Sequence, residues 1–266
     1  MAEVKFVGKC ALISQGAERV LAVGDLHLGF EEALNKSGVL VTRVMYKEMM
    51  REFDRVFEEI SEKINGKMQK KQGLNENANG EQKEEKTKKI VDKIVLLGDI
   101  KHNFGEISGQ EWKEILGLID YLSARCGKII LIKGNHDAVL SPIARKRGIK
   151  LKEYWKWKGF CFTHGDENYN AIWGDGIRCI VAGHGHPAIT LREGVRREKY
   201  KCFLDGKLRG KRVIVLPSFS EWYMGSDALN GEVVLAWEID FSKFNVYAVG
   251  DNGEISDFGK LENLKD

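Results

Sequence analysis

Short apolar runs of strand length recur along the first half of the chain, separated by segments with helical periodicity. The runs at Val20–Val23, Lys93–Leu97 and Ile129–Ile132 consist mainly of valine, isoleucine and leucine. Runs with so little polar alternation are typical of strands that are buried on both faces. A further apolar run at residues 9–14 predicts a hairpin partner for the first strand. Strands that alternate with helices predict a parallel sheet with crossover connections.

Two helices are predicted between these strands. The first begins after Thr42, its predicted N-cap, and ends near Ile64. The second begins at Ser108, which has capping-box spacing to Glu111, and ends near Arg125. The first helix carries a row of apolar residues on one face, which we interpret as core packing. That row is Val44, Met45, Met49, Phe53, Val56, Phe57 and Ile60.

The polar segment 65–89 interrupts this pattern. Gly, Asn, Gln, Lys and Glu dominate it, so it cannot bury enough apolar surface to offset the entropy lost on ordering. Strand-like sequence resumes directly after it. We therefore predict a flexible, low-complexity surface insertion within a single domain that spans residues 1–266, and not a domain boundary.

After residue 150 the apolar runs become shorter and more closely spaced. Runs at 160–162, 179–182 and 213–216 predict three more strands. Two final runs, Val233–Ile239 and Phe244–Val249, predict a closing antiparallel pair. The whole pattern predicts the α/β class, with two packed mixed β-sheets flanked by helices in an α-β-β-α sandwich.

Composition and charge exclude several classes of protein. A hydrophobic content of 43% is ordinary for a globular domain with a core, and a formal net charge of +3 demands no polyanionic partner. The five scattered cysteines form no CxxC pair and favour a reducing, cytoplasmic setting. The sequence has no signal-peptide pattern and no apolar stretch long enough to span a membrane, so we expect no membrane partner.

The six histidines share one topological position. Each lies at or just past the end of a predicted strand, beside Gly or Asp. Histidines used only for packing or at the surface would be scattered, with some on helices. Because ligands of open α/β sheets bind at the carboxyl ends of the strands, we expect these side chains to converge on one site. They are His27, His102, His136, His164, His184 and His186.

Carboxylate and amide groups accompany the histidines at these strand ends, in Asp25, Asp99 and Asn135. This donor set suits Mn, Fe, Zn, Co or Ni, and the lack of a thiolate disfavours a zinc-finger type of site. There are more candidate ligands than one catalytic ion requires. Two divalent ions that share one carboxylate would use them well.

These residues form short motifs in the order typical of the calcineurin-like metallophosphoesterases, which the chain resembles over about residues 20–190. Three segments from Gly183 onward also look like the archaeal branch similar to DNA-ligase-associated phosphoesterases. The family motifs are Asp-x-His at 25–27, Gly-Asp at 98–99, Gly-Asn-His-Asp at 134–137, Thr-His-Gly-Asp at 163–166 and Gly-His-Gly-His at 183–186. The branch segments are Gly-His-Gly-His-Pro-Ala-Ile at 183–189, Lys-Cys-Phe-Leu at 201–204 and Leu-Pro-Ser-Phe at 216–219.

The resemblance implies a phosphoesterase of the calcineurin-like fold with two divalent metal ions, manganese first and iron, zinc, nickel or cobalt as alternatives. It implies that His136 is catalytic and faces the phosphate without binding metal, and that His102 is its catalytic neighbour. The implied metal ligands are Asp25, His27 and His186 for one ion, Asn135, His164 and His184 for the other, and Asp99 as the bridge.

The identity of residue 102 also indicates which class of phosphate ester is the substrate. His102 stands where phosphoprotein phosphatases carry an aspartate, and the arginine that follows in those enzymes is missing here. This departure favours phosphodiester hydrolysis, including nuclease activity in DNA repair, with nucleic acid as the partner. A phosphomonoesterase or small-nucleotide phosphohydrolase remains the alternative. A non-catalytic scaffold is disfavoured, because no implied ligand is missing.

Basic and aromatic residues alternate over Arg145–Lys158, and a second basic run lies between Arg192 and Lys201. The first stretch suits a nucleic-acid backbone with a base stacked on Trp155 or Trp157. The alternative is a solvated edge strand whose lysines prevent aggregation. The sequence leaves both interpretations open.

Overall fold

Six strands between residues 3 and 152 form one sheet, here called sheet I. The structure is a computed structural model that describes residues 2–71 and 89–264, with all their side chains except those of 65–71 and Glu193. The strands are β1 (Glu3–Val7), β2 (Cys10–Gln15), β3 (Glu18–Val23), β4 (Val91–Leu96), β5 (Cys126–Ile132) and β6 (Leu151–Lys152). They lie side by side in chain order, with β1 to β3 antiparallel and β3 to β6 parallel.

Nine strands of the second half form sheet II. They are β7 (Tyr154–Trp157), β8 (Phe160–Thr163), β9 (Cys179–Ala182), β10 (Pro187–Glu193), β11 (Arg196–Leu208), β12 (Lys211–Val215), β13 (Ser226–Asp227), β14 (Asn245–Val249) and β15 (Ile255–Lys260). The order is β13-β10-β11-β12-β9-β8-β7, and β14 pairs with β11 and β15. Because β8, β9 and β12 are parallel, their carboxyl ends lie at one edge of the sheet.

Alternate residues of a strand face opposite sides, so each sheet has two apolar faces to cover. Between the sheets, Val95 and Ile130 pack in one buried cluster with Phe162 and Val181. The outer face of sheet I is covered by helices, and that of sheet II by loops and short 3₁₀ turns. The predicted sandwich of two packed sheets is thereby confirmed. The helices of the described residues are α1 (Phe30–Lys36), α2 (Met45–Lys71), α3 (Gly109–Arg125) and α4 (Ser141–Lys146).

Helix α2 is capped by a carboxylate that is distant in sequence, and the prediction of Thr42 as its N-cap is wrong. The Oε1 atom of the buried Glu31 accepts the N–H groups of Val44 at 2.6 Å and Met45 at 2.7 Å. These are donors that a helix start leaves unpaired, and a negative charge there also suits the helix dipole. Thr42 itself is exposed. The predicted apolar row of α2 is buried, except for the half-buried Val44.

We expect Glu31→Ala to lower the free energy of unfolding by about 1–2 kcal/mol, the scale of a lost helix cap. Urea denaturation of both proteins measures the difference. The matched control is Glu58→Ala on the exposed side of the same helix, which should change stability by less than about 0.5 kcal/mol. A larger loss for Thr42→Ala than for Glu31→Ala would contradict this assignment.

The predicted closing strand pair is wrong in its first member. Residues 233–239 alternate between buried and exposed positions but belong to no strand. Val233 and Leu235 pack against the outer face of sheet II, and Ala236 N–H donates to Gly165 O at 2.9 Å. The second member is a strand, but it pairs with β11 and β15 instead. The alternation therefore reflects burial of one side of an extended segment and not pairing.

The helix predicted to end near Ile64 continues to Lys71. Of the predicted insertion 65–89, residues 72–88 lie outside the described part of the chain. Among the described residues, no helix is both long enough and apolar enough to cross a membrane.

Candidate metal centre

Loops that follow parallel strands of both sheets are hydrogen-bonded to one another at the carboxyl edge. In sheet I, His27 N–H donates to Asp99 O at 2.8 Å, and His136 N–H donates to Asp99 Oδ1 at 3.0 Å. His184, in the loop after β9 of sheet II, donates its N–H to Asp25 Oδ1 at 3.1 Å, and this hydrogen bond joins the two sheets. The structure thus brings together all the predicted strand-end residues. They are Asp25, His27, Asp99, His102, Asn135, His136, His164, His184 and His186.

Strained backbone marks this edge. Among the described residues, seven other than glycine have positive φ, and five of these are candidate metal ligands. A residue in such a sparsely populated region costs on the order of 1–3 kcal/mol and persists only where its surroundings hold it, most often at functional sites. The five are Asp25 (φ 55°), His27 (48°), Asp99 (48°), His184 (64°) and His186 (43°).

Two glycines allow the carboxylates to approach the neighbouring backbone. A Cβ atom on Gly134 would lie 2.3 Å from Asp99 Oδ1, and one on Gly183 would lie 2.6 Å from Asp25 Oδ2. Either side chain would displace a carboxylate that the site holds. The glycines of the two motifs are therefore required by close contact, since neither has a positive φ.

The first group of potential ligands contains Asp25, His27, Asp99 and His186, whose ligand atoms all lie within 4.8 Å of one another. His186 Nε2 lies 3.0 Å from Asp25 Oδ1 and 3.4 Å from His27 Nε2. His27 Nε2 lies 3.9 Å from Asp99 Oδ2. All four residues are buried, so their donor atoms are shielded from bulk water.

The second group contains Asp99, His164 and His184, again within 4.8 Å of one another. His164 Nε2 lies 3.4 Å from Asp99 Oδ1, 3.2 Å from His184 Nδ1 and 3.1 Å from the amide oxygen of Asn135. Asp99 belongs to both groups, with Oδ2 facing the first and Oδ1 the second. This is the arrangement expected of a carboxylate between two cations.

The donor atoms fit divalent metal ions. His164 Nδ1 donates to Leu97 O at 2.8 Å, which leaves Nε2 as a lone-pair donor among other lone pairs. Burial lowers the pKa of His27 to about 3 and that of His184 to about 4, so both are neutral, as metal ligands must be. Burial alone would lower the pKa of His164, but the adjacent Asp99 raises it to about 10. The environment therefore favours a positive charge at His164 Nε2, which either a proton or, once that proton is lost, a bound divalent ion would supply.

The sequence model of the calcineurin-like phosphoesterase family matches residues 18–252. The chain belongs to this family. No curated protein matches it in sequence. Among solved structures, it is similar to the nuclease MPE of Pseudomonas putida, with 19% identity, a TM-score of 0.58, and coverage of 97% of this chain and 100% of that chain.

Two further structures resemble this chain at lower scores. A single mutant of Vps29 from Entamoeba histolytica has 15% identity and a TM-score of 0.36, covering 90% of this chain and 99% of that one. A predicted phosphoesterase from Streptococcus pneumoniae has 14% identity and a TM-score of 0.31, covering 91% and 95%. The likeness to the nuclease concerns the fold alone, and it agrees with the two-sheet architecture.

His136 is oriented by a carbonyl group. Its Nδ1–H donates to the backbone oxygen of His102, which leaves Nε2 turned toward the site, 3.8 Å from Asp99 Oδ2. The His102 ring lies 5.4 Å, centroid to centroid, from the His136 ring and packs edge-on against Phe30, so the predicted catalytic neighbour does lie beside His136. His102 also shares a third group of possible ligands with His27 and His136, whose ligand atoms lie within 4.8 Å of one another.

Asp137, the last residue of its motif, joins two loops at the carboxyl edge of sheet I. Its Oδ1 accepts the N–H groups of Ile100 at 3.0 Å and Lys101 at 3.3 Å, and its Oδ2 accepts that of Gly134 at 3.0 Å. Burial, together with the nearby Asp99, raises the pKa of Asp137 to about 7. The contacts fix the loops after β4 and β5 relative to each other, and with them Asp99 and His136.

Sequence reasoning missed two aromatic residues that contact the histidines. Tyr223 stacks on the His27 ring, with centroids 4.8 Å apart, and Phe104 lies against the His136 ring at 3.7 Å. Both are in loops, where no periodic pattern marks them. Lys201 positions the Tyr223 loop from within: its Nζ donates to Ser218 O at 2.9 Å and to Ser220 O. Lys201 is therefore engaged inside the protein and is not part of a basic surface for nucleic acid.

The basic and aromatic stretch contains an edge strand, β7. Trp157 is buried, its indole N–H donates to Glu18 Oε2 at 3.0 Å, and Trp155 stacks on Phe162. Both tryptophans belong to the layer between the sheets. Of the two interpretations left open by the sequence, these contacts favour the edge strand over tryptophans that stack on bases. The exposed Lys156 fits the alternative of a protected edge.

Proposed function

We propose that this protein is a dinuclear metal-dependent phosphoesterase that hydrolyses phosphodiester bonds, with nuclease activity on DNA. One observation carries the proposal. Asp99 is shared by two clusters of metal-ligand type, and the same carboxylate lies next to the Nε2 atom of His136. A site with two cation positions and an adjacent imidazole has the components for displacement at phosphorus.

Two divalent ions bound here would neutralise phosphoryl oxygens and make a water molecule acidic enough to attack at neutral pH. Manganese is our first choice, because oxygen donors accompany the imidazoles; iron, zinc, nickel and cobalt suit the same set. The ligands would be Asp25, His27 and His186 for one ion, Asn135, His164 and His184 for the other, with Asp99 as the bridge.

His136 would protonate the leaving oxygen. Its Nδ1–H is engaged by the His102 carbonyl, so only Nε2 is available to hold and deliver a proton. The N–H···Asp99 hydrogen bond of its backbone, at 3.0 Å, fixes the residue next to the shared carboxylate. The transfer avoids the expulsion of a bare alkoxide. Its benefit to the rate is greater the poorer the leaving group.

Two observations support diesters over monoesters. The residue after Lys101 is a histidine, where phosphoprotein phosphatases carry an aspartate. In addition, a solved structure that shares this fold over nearly the whole chain is that of a nuclease. A shared fold alone does not assign that protein's substrate to this chain. The similarity to a nuclease is the reason to test DNA first.

With manganese-loaded protein, we expect bis(p-nitrophenyl) phosphate to be hydrolysed with a kcat/KM on the order of tenfold higher than p-nitrophenyl phosphate. We also expect cleavage of single-stranded DNA. Asp99→Asn, assayed in parallel, should abolish both activities and so exclude a contaminating hydrolase. A preference for the monoester, without cleavage or binding of DNA at low salt, would instead favour a phosphomonoesterase or small-nucleotide phosphohydrolase.

A further inference from the structure

Phe104 is an exposed aromatic residue at the edge of the metal centre. It retains 59% of its accessible surface, yet its ring lies only 3.7 Å, centroid to centroid, from that of His136, at an interplanar angle of 30°. One face of the phenyl ring is thus covered by the imidazole, and the other is open to solvent. An apolar ring in this position has half of a stacking site already formed.

The loop that carries Phe104 is anchored on both sides. The buried Glu111 accepts the N–H of Asn103 at 3.0 Å and the N–H of Ser108 at 2.7 Å. The exposed ring is therefore held over His136 by hydrogen bonds in the adjacent backbone. Exposure of a large apolar group is unfavourable, and a bound planar group would remove the open face of Phe104 from water.

The identity of that planar group follows from the position of His136. In the proposed reaction, His136 Nε2 faces the leaving oxygen, so the substituent on this oxygen extends past the imidazole toward Phe104. In a nucleic acid this substituent is a nucleoside, and its base presents a flat aromatic face. Bases stack on aromatic side chains when they are free of their neighbours, as in single strands.

We propose that Phe104 is a substrate-binding residue that stacks on the base of the leaving nucleoside and selects single-stranded nucleic acid. This inference rests on the proposed phosphodiester chemistry. A base within a duplex is stacked and paired on both sides, so it must be extruded before it can reach the phenyl face. The open face of Phe104 therefore favours substrates with an unpaired base at the cleavage site.

The test uses a thymidine dinucleotide, which has a single diester bond, and two analogues in which one or the other base is replaced by hydrogen. Manganese-loaded wild-type protein, Phe104→Ala, Phe104→Trp and Val195→Ala are compared on all three. Val195 is the matched control, since it is exposed and lies in the turn between β10 and β11, at the end opposite His186. Fluorescence anisotropy of a labelled single-stranded oligonucleotide with metal-free protein gives a second readout that does not depend on turnover.

We expect Phe104→Ala to raise KM for the dinucleotide by at least about fivefold, the lower end of the range for one stacked base. The difference from wild type should vanish for the analogue that lacks the leaving-side base. Phe104→Trp and Val195→Ala should both have the KM of wild type for the dinucleotide. Oligonucleotide binding should weaken in Phe104→Ala alone.

Two outcomes would overturn the inference, and they can be told apart. If wild type cleaves the dinucleotide but Phe104→Ala loses the same factor on all three compounds, Phe104 only supports His136, and the proposed function stands. If wild type cleaves none of the three compounds, the proposed phosphodiester chemistry fails and the inference fails with it.

Discussion

Asp99→Asn protein is expected to bind fewer than two equivalents of manganese and to lose on the order of a thousandfold in kcat/KM. The Asp99 carboxylate belongs to both groups of potential ligands and is buried. Its replacement by a neutral amide removes the negative charge shared by the two cation positions. Loss of such a ligand costs several kcal/mol, and each 1.4 kcal/mol is a factor of ten in rate.

Elemental analysis after manganese loading measures the stoichiometry directly, and thermal unfolding provides an independent readout. Manganese should raise the Tm of wild type by mass action, with little effect on Asp99→Asn. Asp175→Asn makes the same chemical change at an exposed position and should behave as wild type. A firm stoichiometry of one with a harmless Asp99→Asn would contradict the bridging role. Three equivalents would implicate the group of His27, His102 and His136.

The second large effect is expected for His136→Gln, which should keep both metal ions and lose about a hundredfold or more in turnover. Retention is expected because Nδ1 of His136 is bound to the His102 carbonyl and Nε2 lies 3.8 Å from Asp99 without forming a hydrogen bond to it. By contrast, His184→Gln removes a member of the second ligand group and should lower the metal content.

The dependence on the leaving group tests the proton transfer itself. A p-nitrophenolate leaves readily without protonation, whereas the alkoxide of a nucleoside does not. His136→Gln should therefore impair DNA cleavage more strongly than hydrolysis of bis(p-nitrophenyl) phosphate. Equal losses on the two substrates, or loss of metal as complete as in His184→Gln, would show that His136 acts as a ligand and not as an acid.

Local signals located most of the fold and most of the site. The apolar runs became strands β3, β4 and β5, and the capping box of Ser108 and Glu111 is present at the start of α3. A capping box joins residues three positions apart, so the sequence contains the whole interaction. The cap of α2 joins Glu31 to Val44, and no local pattern connects residues so far apart.

An alternating sequence pattern does not distinguish a paired strand from an extended segment that is buried on one side. Residues 233–239 alternate as a strand does, yet their buried side chains cover the outer face of sheet II without a neighbouring strand. Trp155 and Trp157 alternate with lysines as they would at a nucleic-acid surface, yet both face the layer between the sheets. In each case the alternating pattern identified which side chains share one side of the segment. The neighbouring elements of the fold decided what those side chains contact.

By itself, the sequence determined which donor groups stand at the strand ends, because an apolar run followed by glycine sets both the strand and its turn. Only the tertiary structure decided that Asp99 belongs to both ligand groups and that the His102 carbonyl oxygen accepts the Nδ1–H of His136. It alone placed Phe104 and Tyr223 against the histidine rings. Most of these contacts join loops from distant parts of the chain, and their distances depend on how the strands align and how the two sheets pack.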